Sequence, residues 1–519
     1  MSAMNIIDRI VAWRDPVRGL ERLRARMALR TFAEYEAAKP SRSRKARKDA
    51  LSPNELVQRG AAGLRAHARW LDQNHDLAHG ALDKLVNNVV GPRGIGVEPQ
   101  PRRRDGTIHE EYAKTLRDIY AKHGQRPEVT WRFTRAKSQR LTARGWFRDG
   151  DAFAQQVIGT GPGIQHAGPI PYSLELFESD LVPIDYDDVG KKIYQGIERN
   201  DWGRPLAVWV YKTTPGDSLL AGIVKSDLKR VPWDRMLHVA TIERIGQLRG
   251  ISRFASVITR LEDLKDYEES ERVAAKIAAM LTAYVKKGDP QTYNVQTAGI
   301  DAEGNKVARE LRMSPGMIVD DLYPGEDIGM IDSNRPNPNA FTWRAGQLRA
   351  VAAGLGPSFS SLSRDYNGTY SAQRQELVES WVDYAVLTDD FVGMWVQPDY
   401  QTVVRVAALS GAAPIPRDVI PETADDALYV AQAMPWIDPL KEAQAWALLV
   451  RCGFASEVEA IRRRGEAPAD VLEQVDFWRK LADKKGLIFY SNAANDSKGG
   501  DQSAGASGAA SGGEGGESA

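Results

Sequence analysis

The sequence predicts an α+β protein, on three observations. Apolar residues recur at helical spacing over residues 52–90 and again over 253–287, and short strand-like runs punctuated by Gly, Pro and Asp fill the stretch from Trp131 to Val231. Helical patterns then return and persist to residue 487. The chain has 519 residues, room for roughly three units at about 150 residues each. With 42% hydrophobic and 27% charged residues it has an ordinary globular composition, which excludes collagen-like, wholly disordered and disulfide-scaffold classes. Mean hydropathy is -0.42, and no stretch approaches the roughly 18 uninterrupted apolar residues of a membrane-spanning helix.

Taken in order, the chain opens with an amphipathic stretch, Ile6 to Tyr35, followed by the basic run SRSRKARKD, in which Arg42, Arg44, Lys45, Arg47 and Lys48 offer either a solvated arm or a contact for phosphates or a protein partner. Ser52 caps, and Pro53 begins, the helical run carrying Leu56, Leu64, Leu71, Leu82 and Leu85, which GPRGIG ends. The runs DAFAQQVIG, YSLELFESD and PLAVWVYK read as strands of a mixed sheet region. Arg253 to Lys287 is the longest helix candidate, with Phe254, Ile258 and Leu261 on its apolar face and an alanine-rich second half containing Ala274 and Ala278. A loop-rich segment, 288–338, leads to a second helix from Phe341 to Leu355. The stretch GLGPSFSSLSRDYNGTY is rich in small polar residues and is expected to be mobile. A helix from about Ala372 to Val396 and a short helical bundle from Asp438 to Leu487 follow. The tail from Ser491 onward holds almost nothing that buries surface, and is expected to be disordered.

Sites for chemistry are sparse. The string GxxxxGK[ST], which cradles nucleotide phosphates, does not occur, and GTGPG and GPRGIG read as turns. His75 and His79 are spaced as two zinc ligands on one helical face, but Asp76 stands where a general-base glutamate is expected. The acidic stretch Glu178, Asp180, Asp185, Asp187 and Asp188, followed by Lys191 and Lys192, offers a divalent-ion site for nuclease chemistry or, alternatively, a solvated loop. The single cysteine, Cys452, shows no evident histidine partner, so covalent catalysis has no support. That lone cysteine and an opening without a secretory-signal pattern lead to an expectation of folding in a reducing cytoplasm. No catalytic residue, metal or cofactor is assigned. Lys plus Arg equals Asp plus Glu, 69 each, so any contact with nucleic acid should be local or loose.

Five strings taken together resemble one family, the lambda-type phage portal proteins. They are LRAHARWLDQNHDLAHGALDKLVNNVVGPRGIGVEP, then GIERNDWGRPLAVWVYKTTPGD with Gly203, Arg204 and Pro205 in a hairpin turn, and RIGQLRGISRFASVITRLEDLKDYEESERVAAKIAA with Gly246, Gln247, Arg249 and Gly250. LRAVAAGLGPSFSSLSRDYNGTYSAQR follows, carrying Asp365, Tyr366, Tyr370, Ser371 and Arg374, and WIDPLKEAQAW is the last. They occur in family order between about residues 55 and 487, and this colinearity is more specific than any one string.

The resemblance implies a portal-like fold in a ring oligomer of twelve copies. Residues 1–54 are an N-terminal segment and arm, 55–250 a wing of helices and mixed sheet, 251–287 a stem helix, 288–338 a clip and 339–355 the second stem helix. Residues 356–371 are a tunnel loop, 372–410 a kinked helix and wing return, 411–490 a helical crown and 491–519 the tail. The implied protein is a structural, non-enzymatic channel at one capsid vertex, assembled in the bacterial host cytoplasm and retained in the virion. Double-stranded DNA passes through it, and its partners are the terminase large subunit, the major capsid or scaffold protein and the head-tail connector, without a membrane. Ser358, Ser360, Ser361, Ser363, Arg364, Asp365, Asn367 and Gly368 would line the channel, while Phe254, Ile258, Leu261, Ala274 and Ala278 would pack the stem. Neutrality suits such a ring: even about 0.5 kcal/mol of phosphate attraction per copy would sum to roughly 6 kcal/mol around twelve, enough to stall sliding DNA. A metal-dependent nuclease of the packaging apparatus is the alternative.

Overall fold

The computed structural model describes residues 51–161, 163–213, 227–280, 284–287, 299–300, 306–307, 326–329, 338–434 and 438–487. The amphipathic stretch from Ile6, the basic arm at 42–48 and the tail from Ser491 lie outside the described residues, as does most of 288–338. The chain divides into two units, 1–56 and 57–519. In the first, the described residues open a helix whose start is capped by Ser52, its side chain accepting from the Glu55 amide at 3.2 Å.

The expected mixture of helices and sheets is found, and the helical run expected over 52–90 is two helices. α1 (Pro53–Asn74) stops where His75 turns extended, and α2 (Asp76–Val89) begins there. The break is held by the Asn74 side-chain amide, which donates to Trp70 O at 2.9 Å, and by Lys265, which donates to Asn74 O at 3.0 Å. β1 (Gly96–Pro99) follows, then α3 (Glu110–His123) and α4 (Arg135–Asp149). α4 falls inside the stretch from Trp131 where strands are expected. Its buried face mixes Ser138, Gln139 and Thr142 with Ala143, Trp146 and Phe147, which blurs the apolar period that would reveal it.

β2 (Asp151–Ile158) is the centre of a three-stranded antiparallel sheet, flanked by β3 (Tyr172–Phe177) and β8 (Met236–Ala240). Between them, β4 (Ile193–Tyr194), β5 (Ile197–Arg199), β6 (Pro205–Tyr211) and β7 (Leu228–Pro232) form a four-stranded antiparallel meander. The β5–β6 turn is tied by Asn200, whose side-chain oxygen accepts from the amides of Trp202 and Arg204 at 3.0 and 2.9 Å. Tyr172, Leu174, Leu237 and Val239 of the sheet share one core with Trp146 and Phe147 of α4 and Leu82, Leu85 and Val89 of α2.

α5 (Ile258–Met280) is shorter than the helix expected over 251–287. A 3₁₀ turn, Arg253–Ser256, precedes it, and Tyr284–Lys287 is a strand, β9. Tyr284 and Val285, aromatic and β-branched, favour a strand, and the partner strand β12 (Glu326–Gly329) lies too far along the chain for local periodicity to reveal. In the antiparallel register Lys287 stands opposite Glu326 and Lys286 opposite Asp327. Two residue pairs, Gly299–Ile300 (β10) and Lys306–Val307 (β11), form a second small antiparallel pair.

α6 (Pro338–Leu355) returns along α5. Arg260 Nη1 donates to Gln347 Oε1 at 2.8 Å, Tyr267 and Trp343 rings lie 4.1 Å apart, and Arg344 Nε meets Glu268 Oε1 at 2.5 Å. Rising numbers on one helix against falling numbers on the other define an antiparallel pair. At its end a Cβ on Gly354 would lie 2.4 Å from Val257 Cγ1, so only glycine allows this approach. The chain continues through α7 (Phe359–Ser363), α8 (Tyr370–Phe391), a π-helical turn at Val392–Val396 and α9 (Gln397–Leu409). β13 (Ala427–Val430) pairs back with β1, and α10 (Pro439–Arg451), α11 (Glu457–Arg463) and α12 (Pro468–Lys484) end the described chain. Among the described residues no helix is long and apolar enough to cross a membrane.

Candidate functional site

The serine-rich segment between α6 and α8 is more ordered in its hydrogen bonding than its composition leads one to expect. Gly356 has φ +102° and turns the chain out of α6. Ser358 then caps α7, its hydroxyl accepting from the Ser361 amide at 3.3 Å. The Ser360 hydroxyl donates to Glu376 of α8, whose other carboxylate oxygen accepts from the Ser360 amide at 3.1 Å. Ser363 donates to Phe359 O at 2.8 Å, and Leu362 is buried in the core cluster. Within the segment expected to be a mobile loop, the structure thus places one helical turn held by Leu362 and Glu376. Burial of one leucine and a carboxylate acceptor outweigh the weak burial potential of the serines.

Arg364 ends that turn in the left-handed region, at φ 58°. Asp365 follows, its carboxylate accepting from the Asn367 amide at 3.1 Å, while the Gly368 amide donates to Tyr366 O at 2.9 Å. Thr369 caps α8 by accepting from the Ala372 amide at 3.4 Å. Tyr366, Tyr370, Ser371 and Arg374 line this stretch and the first turn of α8, with both tyrosines exposed. The segment from 364 to 371 is therefore a short turn fixed at both ends by helix caps.

Phe254, Ile258 and Leu261 are buried with Leu348, Val351 and Leu355, so the expected apolar face of α5 meets α6. Ala274 is half-buried. The side chain of Ala278 lies outside the described residues.

Other candidate residues are occupied by the fold. His75 Nε2 donates to Leu261 O at 3.2 Å, whereas His79 Nδ1 lies 3.0 Å from Asp72 Oδ1, so the two rings serve different partners. Asp180 receives Arg65 and Arg69. Asp187 accepts from Gln58 Nε2 at 2.5 Å and from the Gln195 amide at 2.7 Å, and Asp188 accepts from the Lys191 amide at 3.1 Å. Glu178 lies 3.6 Å from Arg69, and Lys192 pairs with Asp201. The carboxylates of this stretch neutralise cations and close turns rather than converge on one point. Asp180 in fact belongs to an alternating chain of eight charges, Asp83–Arg144–Asp72–Arg148–Asp149–Arg69–Asp180–Arg65, that stitches α1 and α2 to α4. Among the described residues no group of three or more His, Cys, Asp or Glu gathers as metal ligands, and Cys452 is exposed.

Two buried nodes organise the region that carries α5 and the segment after α6, and neither is marked by local pattern. In the first, Arg249 is fully buried, its Nε 2.5 Å from Asp151 Oδ2. It donates also to the carbonyls of Val182 at 3.0 Å, Gln195 at 3.2 Å and Ser179 at 3.2 Å. One guanidinium thus joins the start of β2, the acidic stretch, the meander and the approach to α5. Burial opposes the Asp151 charge, but Arg249 and His238 outweigh it and hold the carboxyl far below its ordinary range. Burial lowers the pKa of His238. Beside this node a Cβ on Gly250 would lie 1.9 Å from Gly150 O, and Gly150 itself has φ +101°. The glycines flanking Arg249 and Asp151 in the sequence are the available signal for this close approach.

In the second node Asp399 of α9 accepts from the Tyr172 hydroxyl at 2.7 Å. Arg135 packs over the Tyr120 ring at 3.3 Å and donates to Tyr120 O at 2.6 Å and to His123 Nδ1 at 2.9 Å. The other nitrogen of His123 faces Tyr172 O at 3.2 Å, which requires Nε2 to carry the proton. Burial, reinforced by Arg135, lowers the pKa of His123 to about 3, and burial raises that of Asp399.

A family model described as phage portal protein, lambda family, matches residues 39–387. A probable portal protein of Halomonas phage phiHAP-1 is 22% identical over 464 residues, covering 86% of this chain and 85% of that protein. The portal protein of Escherichia phage N15 is 24% identical over 54% of this chain and 57% of its own length. Portal protein B of Escherichia phage lambda is 24% identical over 46% of this chain and 49% of its own. The neck of a native gene transfer agent particle, computed with C12 symmetry, aligns with a TM-score of 0.41 at 12% identity, covering 81% of this chain and 94% of that one. A chain of the native gene transfer agent virion aligns with a TM-score of 0.40 at 13% identity, covering 82% and 97%.

Proposed function

The chain belongs to the lambda family of phage portal proteins, and from that premise we propose that twelve copies form the channel at one capsid vertex through which viral double-stranded DNA enters and leaves. The observation that carries this reading is colinearity. The family match runs from residue 39 to 387, across the sheet region, the α5–α6 pair and the serine-rich segment after it. In this reading α5 and α6 are the stem, the residues between them the clip, and α10 to α12 the crown. The protein acts as a conduit rather than a catalyst. It docks the terminase large subunit during packaging and the head-tail connector afterwards, beside the major capsid or scaffold protein.

The turn from Arg364 to Gly368 is the part of the serine-rich segment that faces the DNA. Its backbone is fixed between the left-handed end of α7 at Arg364 and the cap at Thr369, and its side chains are one cation, one carboxylate, one amide and a tyrosine. That balance gives weak, distributed contact with a moving duplex instead of a grip on its phosphates. Light scattering on the purified full chain tests the assembly. A particle of about twelve times 57.4 kDa is expected, with a ring in negative-stain images. A stable monomer or dimer that cuts DNA with added magnesium would overturn the reading in favour of a nuclease.

A further inference from the structure

The last three helices present an unusual amount of apolar surface. α10 buries none of its residues and α12 buries only Pro468 and Ala482. Leu448, Phe454, Leu472 and Phe477 stand in solvent, Phe477 at 67% exposure. Helices of thirteen and seventeen residues are marginal in water unless an amphipathic face is packed. The contacts holding this unit to the rest of the chain include the ion pairs Arg93–Glu466, Lys114–Glu473, Arg117–Asp470 and Arg462–Glu98, at 3.0 to 3.4 Å and partly exposed, which bind weakly.

A second bare face lies on α8. Val378, Val382 and Val386, spaced four apart on one side of the helix, are all exposed, Val382 at 62%. Glu379 and Asp389 share that side, and α8 as a whole carries five acidic residues against the single cation Arg374. On the end of α12, Phe477, Lys480, Leu481 and Lys484 share one side of the helix at i, i+3, i+4 and i+7, a basic and apolar face on which Lys480 also pairs with Asp476 at 2.7 Å. Both faces are exposed in the same chain, so neither covers the other there.

We infer, resting on the ring assembly proposed above, that the acidic valine stripe of α8 docks on the basic, apolar end of α12 of a second copy. Two unlike, complementary faces on one chain make a head-to-tail contact, the kind that closes into a ring when the rotation allows. The apolar residues supply area, and the opposed charges set register and exclude the like-with-like pairing of two α8 or two α12 faces.

A charge-swap cycle on the full-length chain tests this, read by mass photometry at equal concentration with circular dichroism as a check on folding. Glu379→Lys with Asp389→Lys, and separately Lys480→Glu with Lys484→Glu, should each lower the ring fraction by about tenfold or more. All four substitutions together should restore it. Two single-face variants that keep full rings would overturn the docking while the ring itself stands, as would a well-folded fourfold variant that stays unassembled. Rings unchanged in every variant, with residues 1–50 newly open to protease in the α8 variant, would assign the stripe to the chain's own N-terminal segment instead. A wild-type chain that remains at 57.4 kDa would overturn both the docking and the proposed function.

Discussion

Arg249 illustrates how much one side chain settles in this fold. It is buried, charged and bonded to three other segments, so its removal leaves Asp151 ionised and without its guanidinium in the interior. Arg249→Met should therefore cost about 3–5 kcal/mol, seen as a lower urea midpoint of the unassembled chain. His123 makes a pH prediction. Its folded pKa of about 3 lies below its ordinary value near 6.5, so the unfolded chain binds the extra proton between those limits. Its contribution to stability is then complete above pH 6.5 and is lost as the pH falls toward 3, with a slope of at most about 1.4 kcal/mol per pH unit. His123→Gln should be flatter than the parent across that window when thermal midpoints are compared. Equal slopes would mean that folded His123 keeps the ordinary proton affinity of a histidine.

The helices and strands show where local pattern suffices and where it fails. The runs expected at DAFAQQVIG, YSLELFESD and PLAVWVYK coincide with β2, β3 and β6 because alternation or a short apolar run survives on each. α4 escapes because its arginines and buried polar residues hide its period, and β9 reads as part of the helix before it because its partner is distant. The junction of β2 with the approach to α5 depends on two glycines in contact. Gly250→Ala would drive a methyl group to within 1.9 Å of the Gly150 carbonyl, so the backbone must separate. The cost should reach or exceed about 3 kcal/mol, at the upper end of overpacking effects. Hydrogen exchange should show the loss first in β2 and β8, and protection unchanged from the parent would mean that the junction relaxes freely.

For the molecule as a whole, zero net charge and a basic arm are the two electrostatic facts of the sequence. If Arg42, Arg44, Lys45, Arg47 and Lys48 touch phosphates, replacing all five with Gln weakens DNA binding and reduces the salt slope by about 0.9 for each phosphate no longer neutralised. Titrations of a fluorescent duplex at several salt concentrations read this directly, and an unchanged slope assigns the arm to solvent or to a protein partner. α10 and α12 gather apolar surface that a single copy leaves bare.

Read alone, the residues specify the α+β class, the long α5 with its apolar face, the serine-rich stretch as a distinct segment, and the family, because periodicity, composition and colinear strings are local or ordered properties. Tertiary structure alone decided that α5 and α6 run antiparallel, that Ser360 and Leu362 hold one helical turn against α8, and that the acidic stretch answers arginines of α1. It also decided the two buried nodes. Arg249 with Asp151, and Arg135 with Asp399 beside the neutral ring of His123, bring charged groups together inside the fold, and a charge is stable in the interior only where the fold supplies its partner. Asp151 and Arg249 stand 98 residues apart, so no short window of sequence contains both halves of that pair.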